Sequence, residues 1–169
     1  MTDTSALDEP QVPNVHSRAS FRHAIVWAAA LANESKARHM WWIDPDFGEW
    51  PLDDPMLLQS IAQWARLPQR RLFVLAGNFD AFASRHPRFT AWRRSWSHVV
   101  DTRAVAEDDC PSIPSWLLVE HGGHVELIDR AHWRGRVGLD ARRTHAMVEE
   151  IDALAQRSSP DFPASRLGL

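Results

Sequence analysis

Two short apolar runs, Arg38 to Asp44 (RHMWWID) and Arg71 to Ala76 (RLFVLA), are separated by a stretch long enough for one loop and one helix. Each run is apolar on both faces, as a strand covered from both sides would be. Between them, Asp53 or Asp54 followed by Pro55 marks a helix start. The carboxylate caps free amides, and proline lacks only an N–H that the first helical turn leaves unpaired. Met56, Leu57, Ile61, Trp64 and Ala65 supply the buried stripe of that helix. A strand–helix–strand order of this kind is satisfied by a sheet with helices packed against it.

The rest of the chain extends the pattern. Ser17 can cap a first helix, ending near Lys36, in which Phe21, Ile25, Ala28, Ala29 and Ala32 recur at helical spacing. Gly77-Asn78 supplies a turn, and a short helical piece runs to about Arg85. Pro87 opens a helix through Ser97 with Phe89, Trp92 and Trp96 on one face. Val99 to Val105 reads as a third strand. In SWLLVEHGGHVELID, two apolar runs flank Gly-Gly, a hairpin signature because glycine accepts positive φ. Arg136 to Asp140 fits a short edge strand, and Ala141 to Arg157 a final helix with Ala146, Ile151 and Leu154 along one side and Met147 and Val148 adjacent. Residues 1–16 read as a flexible arm and residues 158–169 as a tail. The predicted fold is a single three-layer α/β domain over residues 17–157, with a mixed, partly parallel sheet flanked by helices.

Composition limits the chemistry. The chain has 169 residues, a net charge of −3, one cysteine, no tyrosine and one lysine, Lys36. A negative total argues against a grip on polyanions by the whole surface. A single cysteine, Cys110, excludes an internal disulfide framework and fits a reducing cytoplasm. No apolar run is long enough to span a bilayer, and the first residues show no secretory pattern, so the expected location is cytoplasmic, without membrane contact.

The stretch WWIDPDFGEWPLDDP, from Trp41, crowds aspartates, prolines and tryptophans between a strand and a helix. Ligands of α/β sheets usually bind beyond the strand C-termini. Asp44, Asp46, Asn78 and Arg103 are therefore the candidate ligand-binding set. Asp44 and Asp46 could hold Mg²⁺ through oxygen ligands, which would suit a metal-assisted phosphohydrolase. Turn and cap chemistry accounts for the same carboxylates without a ligand, and that reading is preferred.

Two other groups carry candidate chemistry. If the Gly-Gly turn has two residues, His121 and His124 face each other across the hairpin as half of a metal site. Asp129 would then lie roughly 15 Å away at ~3.3 Å per residue, too far to complete it. The segment RHPRFTAWRRSWSH offers Arg88, Arg93 and Arg94 beside aromatic rings, a pattern suited to phosphate or nucleic acid. The aromatic spacing instead favours a helix with buried rings and arginines facing water. His145 and Glu149, four apart, form an expected surface pair.

From about Ser17 to Arg157 the layout resembles a bacterial group related to the phospholipase D-like fold. The resemblance rests on a strand ending Ile43-Asp44-Pro45-Asp46, the Trp50-Pro51-Leu52-Asp53-Asp54-Pro55 helix opening, the His86-Pro87-Arg88-Phe89 helix and the Trp116 to Asp129 hairpin. It implies half of a phospholipase D-like unit and, because active sites there form between two such domains, a homodimer. Active members carry His-x-Lys-x(4)-Asp in the hairpin region, the histidine attacking phosphorus and the lysine holding phosphoryl oxygens. Here that region reads PSWLLVEHGG, and no His-x-Lys occurs anywhere. The implied function is a catalytically silent binding or regulatory module without a cofactor. A protein partner docking on exposed tryptophans fits it better than nucleic acid.

Overall fold

The computed structural model describes residues 12–163; the expected arm at 1–11 and tail at 164–169 lie outside them. Helix α1 (Arg18–Glu34) starts at Ser17, which exchanges hydrogen bonds with Ser20 in a capping box. Its inner face is largely alanine, so the helix lies close to the sheet. Strand β1 (His39–Asp44) leads to α2 (Pro55–Ala65), whose first amides are capped by Asp54. Strand β2 (Arg71–Ala76) is followed by α3 (Phe82–Arg85), α4 (Pro87–Ser95) and β3 (Val100–Ala104). Asp53 caps α4 rather than α2, accepting from the amides of Arg88 and Phe89. A 3₁₀ segment (Glu107–Ser112) then leads to β4 (Ser115–Val119), β5 (Gly123–Asp129), β6 (Arg134–Leu139), α5 (Ala141–Gln156) and a two-residue β7 (Ser159–Pro160).

The strands form one sheet in the order β6-β5-β4-β1-β2-β3-β7. β1, β2 and β3 run parallel, and the other pairings are antiparallel. The fold is thus a single α/β domain with a mixed, partly parallel open sheet flanked by helices. One face carries Met40, Trp42, Leu72 and Val74 against α1, α2 and α4. The other packs Ile43, Leu75 and Leu118 against Met147 and Ile151 of α5.

Several sequence expectations need correction. Met56 is exposed, outside the α2 stripe. The inner face of α5 is Thr144, Met147 and Ile151, with Ala146 outside. Gly122 and Gly123 are not the two central residues of a tight turn. The loop is Glu120–Gly122, with positive φ at His121 and Gly122. Gly123 belongs to β5, where a Cβ would come within 2.5 Å of Leu31, so its role is the close approach of α1. The described parts of the expected arm and tail are docked on the sheet edges. Gly135 and Val137 of β6 donate to the Val15 carbonyl and the Asn14 side chain, and β7 pairs with β3. Both edges are thereby partly covered, which shortens the ladder open to another strand.

The two faces are unequally covered. A helix of sixteen residues spans about 24 Å, less than the width of seven strands at ~4.8 Å spacing. Helix α5 crosses β4, β1 and β5 and leaves part of β1 and β2 beside it half-open. Trp41 is therefore half-buried, not enclosed as its place in an apolar run predicts, and Trp92 is half-buried on α4.

Candidate functional site

The acidic stretch at the end of β1 is a structural junction. Asp44 is 2% exposed. Its Oδ2 accepts from the amides of Asp46 (3.1 Å) and Phe47 (2.7 Å). Its Oδ1 accepts from Trp50 Nε1 (3.1 Å), the Ser115 hydroxyl and Arg130 Nη2 (2.8 Å). Five donors on one carboxylate fix the 45–50 loop and tie it to β4 and to the turn after β5. Trp50 and Leu52 are buried beneath this loop. Asp46 closes its own turn by accepting from Gly48 N and lies 3.5 Å from Arg85.

The residues singled out from the sequence do not converge. Asn78 is exposed and accepts from Asp80 N. Arg103 lies on the α5 face, opposite to that of Asp44, and holds Ser158 through its hydroxyl and carbonyl. His121 is exposed at the loop tip, while His124 pairs with Leu118 and is buried, so the two do not form a cross-strand pair. No group of three or more His, Cys, Asp or Glu side chains among the described residues is set to hold a metal ion. Arg88 and Arg94 are exposed on α4. Arg93, expected to face water, is only 6% exposed, and burial pulls its guanidinium pKa down while Asp101 opposes this. It donates to Thr102, whose hydroxyl donates to the carbonyls of Asp161 and Phe162, so the 158–163 segment covers it. His145 and Glu149 form the expected surface pair at 3.5 Å.

A strongly basic concavity lies at the opposite end of the sheet. The loops ahead of β1, β2 and β3 enclose a cleft of about 760 Å³ walled by Arg38, Arg66, Arg70 and Arg71, with His98 and Trp96 at one side. No carboxylate lines it, and among the described residues none of these arginines, nor Lys36 beside them, has an ion-pair partner. Arg70 is the buried frame of the cleft. It donates to the carbonyls of Pro68 (2.6 Å) and Lys36 (3.0 Å), joining two of the loops. Arg38, Arg66 and Arg71 are exposed, and Arg71 is steadied by the His98 carbonyl at 3.0 Å. Trp96 packs on His98 at 5.6 Å. Carbonyl partners orient Arg70 and Arg71 without neutralising them, so the positive field stays available to an anion. The signal was present in the sequence. Segments 36–38 and 66–71 are basic, lack acid, and each immediately precedes a strand. Parallel strands bring such loops to one end.

Two buried imidazoles set an acid-sensitive stability. Desolvation lowers the pKa of His124 below its usual value, with Arg143 acting the same way against the opposing Gly122 carbonyl, Glu126 and Asp140. Desolvation likewise lowers that of His86, whose Nε2 contacts the Phe47 carbonyl at 2.9 Å. The unfolded chain then binds more protons just below about pH 6.5, so this stability is present above that value and is lost as pH falls through the folded values. The urea midpoint should therefore fall between about pH 7.5 and pH 5.5, less steeply in His124→Asn. An equal midpoint at both pH values would contradict this.

No family model matches the chain, and no curated protein matches it. Among solved structures it is similar to TrmBL2, an archaeal chromatin protein described as showing a novel mode of DNA binding. The TM-score is 0.59 at 12% identity, covering 95% of this chain and 57% of that one. This chain thus spans little more than half of that protein's length, and at such identity the likeness is one of fold. No helix among the described residues is long and apolar enough to cross a membrane. The α/β fold seen here is therefore similar to part of a DNA-binding chromatin protein.

Proposed function

We propose that this chain is a non-enzymatic binding module that grips nucleic-acid phosphates in the cleft ahead of its three parallel strands. One observation carries the reading: a chain of net charge −3 gathers four arginines around one concavity whose wall contains no carboxylate. Arginine suits phosphate because its planar fork donates two parallel hydrogen bonds and its charge is weakly hydrated. The likeness to a DNA-binding chromatin protein is consistent with this. The phospholipase D-like resemblance, in this reading, describes a frame without the histidine and lysine that would make it an enzyme. A metal-assisted phosphohydrolase has weaker support, because Asp44 would have to surrender hydrogen bonds that close its loop.

Binding should follow counterion release. With about three or four phosphates engaged, log K against log salt should fall with a slope of roughly −2 to −3 on a single strand. Fluorescence anisotropy with a labelled oligonucleotide measures this directly. No binding at about 50 mM salt, or an affinity indifferent to salt, would remove the proposal.

A further inference from the structure

Beside the cleft lies the half of the sheet that α5 leaves open, with His39 between the two. His39 lines the cleft and belongs to the same sheet face as Trp41 and Phe73. Trp41 and Phe73 are register partners on β1 and β2, with ring centroids 6.0 Å apart and planes only 16° from parallel. His39 lies 5.8 Å from the first ring and 6.1 Å from the second. All three are half-buried, whereas Trp42, Trp50 and Trp64 on the other face are enclosed. A groove of about 360 Å³ separates the two rings from the end of α5, with Asp101, Asp152, Arg103 and Gln156 at its rim.

We infer that the Trp41–Phe73 pair is a base-stacking platform and that the ligand of the adjoining cleft is a single-stranded nucleic acid. The inference rests on the phosphate-binding reading and adds to it which kind of strand is bound. A duplex presents its phosphates and hides its base faces, so it can use the arginines but not the rings. A single strand can lay a base flat on an open aromatic, and sheet surfaces with aromatic side chains on neighbouring strands provide such seats. Charge divides the surface accordingly. The uncompensated cations lie at the cleft, where the backbone runs. Asp101 repels phosphate from the platform, and its carboxylate can accept from a base amino group. The side chain of Gln156 can donate to or accept from a base edge. His39 joins the two regions and is paired with Glu120 at 3.3 Å, so a strand occupying both passes beside that carboxylate.

The experiment compares a labelled oligothymidylate of about ten nucleotides with a duplex of equal length, by anisotropy, on wild type, W41L/F73L and R38E/R66E. Leucine keeps an apolar contact with α5 but removes the flat ring. Wild type should prefer the single strand, and W41L/F73L should weaken that complex roughly tenfold or more while leaving duplex affinity and the salt slope unchanged. If W41L/F73L binds the single strand as wild type does while R38E/R66E does not, the platform falls and the phosphate-binding reading stands. If neither variant changes binding, both fall. If the chain self-associates in solution and W41L/F73L abolishes only that, the rings form a protein interface and the inference is overturned. Should the double variant unfold, photocrosslinking wild type to oligonucleotide carrying 5-iodouracil decides: adducts on Trp41 or Phe73 support the platform, and adducts confined to other residues refute it.

Discussion

Asp44→Ala is expected to lower the free energy of unfolding by about 3–5 kcal/mol. The aspartate is 2% exposed and accepts from two backbone amides, an indole, a hydroxyl and a guanidinium. Alanine removes the acceptor and leaves those donors behind, most of them shielded from water. Each buried group so orphaned costs about 1–3 kcal/mol, partly offset where water can enter. Arg130→Ala should also destabilise, because it leaves the buried Asp44 carboxylate without its cation, but by less than Asp44→Ala, since two amides, an indole and a hydroxyl still donate to that carboxylate. Urea denaturation tests both: the midpoint should drop for Asp44→Ala with little change in slope. A loss below about 1 kcal/mol would mean that the loop does not depend on this carboxylate. The result also bears on catalysis, since a carboxylate whose removal collapses its own loop is committed to structure.

The fold was readable where its causes are local in sequence. Ser17, Asp54 and Pro55 announce helix starts within a few residues of themselves, and the runs around Trp42 and Val74 announce buried strands. The misreadings have long-range causes. Helical periodicity points Arg93 outward, but residues 158–163 return across α4 and β3 to enclose it. An apolar run predicts that Trp41 is enclosed, yet one helix is too narrow to cover the face on which it lies. The Gly-Gly pair suggests a tight turn, whereas Gly123 answers to the packing of Leu31, nearly a hundred residues earlier. The site was legible in a different sense. Asp44 and Asp46 attracted notice because they are acidic and stand at strand C-termini. Arg38, Arg66 and Arg71 are commonplace in sequence, and only the parallel order of β1, β2 and β3 places them together.

That placement makes a second sharp prediction. R38E/R66E should bind a single-stranded oligonucleotide about 100-fold more weakly than wild type at about 50 mM salt. On single strands each phosphate contact contributes about 0.7 to the salt slope, hence nearly one logarithmic unit of affinity at that concentration. Two contacts therefore account for a factor near one hundred before the repulsion of the new carboxylates is counted. The salt slope should shrink by about 1.4. Neither arginine makes a side-chain hydrogen bond or ion pair among the described residues, and both are exposed, so the melting temperature should hardly move. R88E supplies the comparison. Arg88 is just as exposed but stands at the start of α4, where its amide is capped by Asp53, away from the cleft. If charge alone mattered, R88E would weaken binding as much as either cleft substitution does. If the cleft is the site, R88E should leave affinity within about twofold of wild type, and the difference between equally exposed arginines then measures geometry rather than total charge.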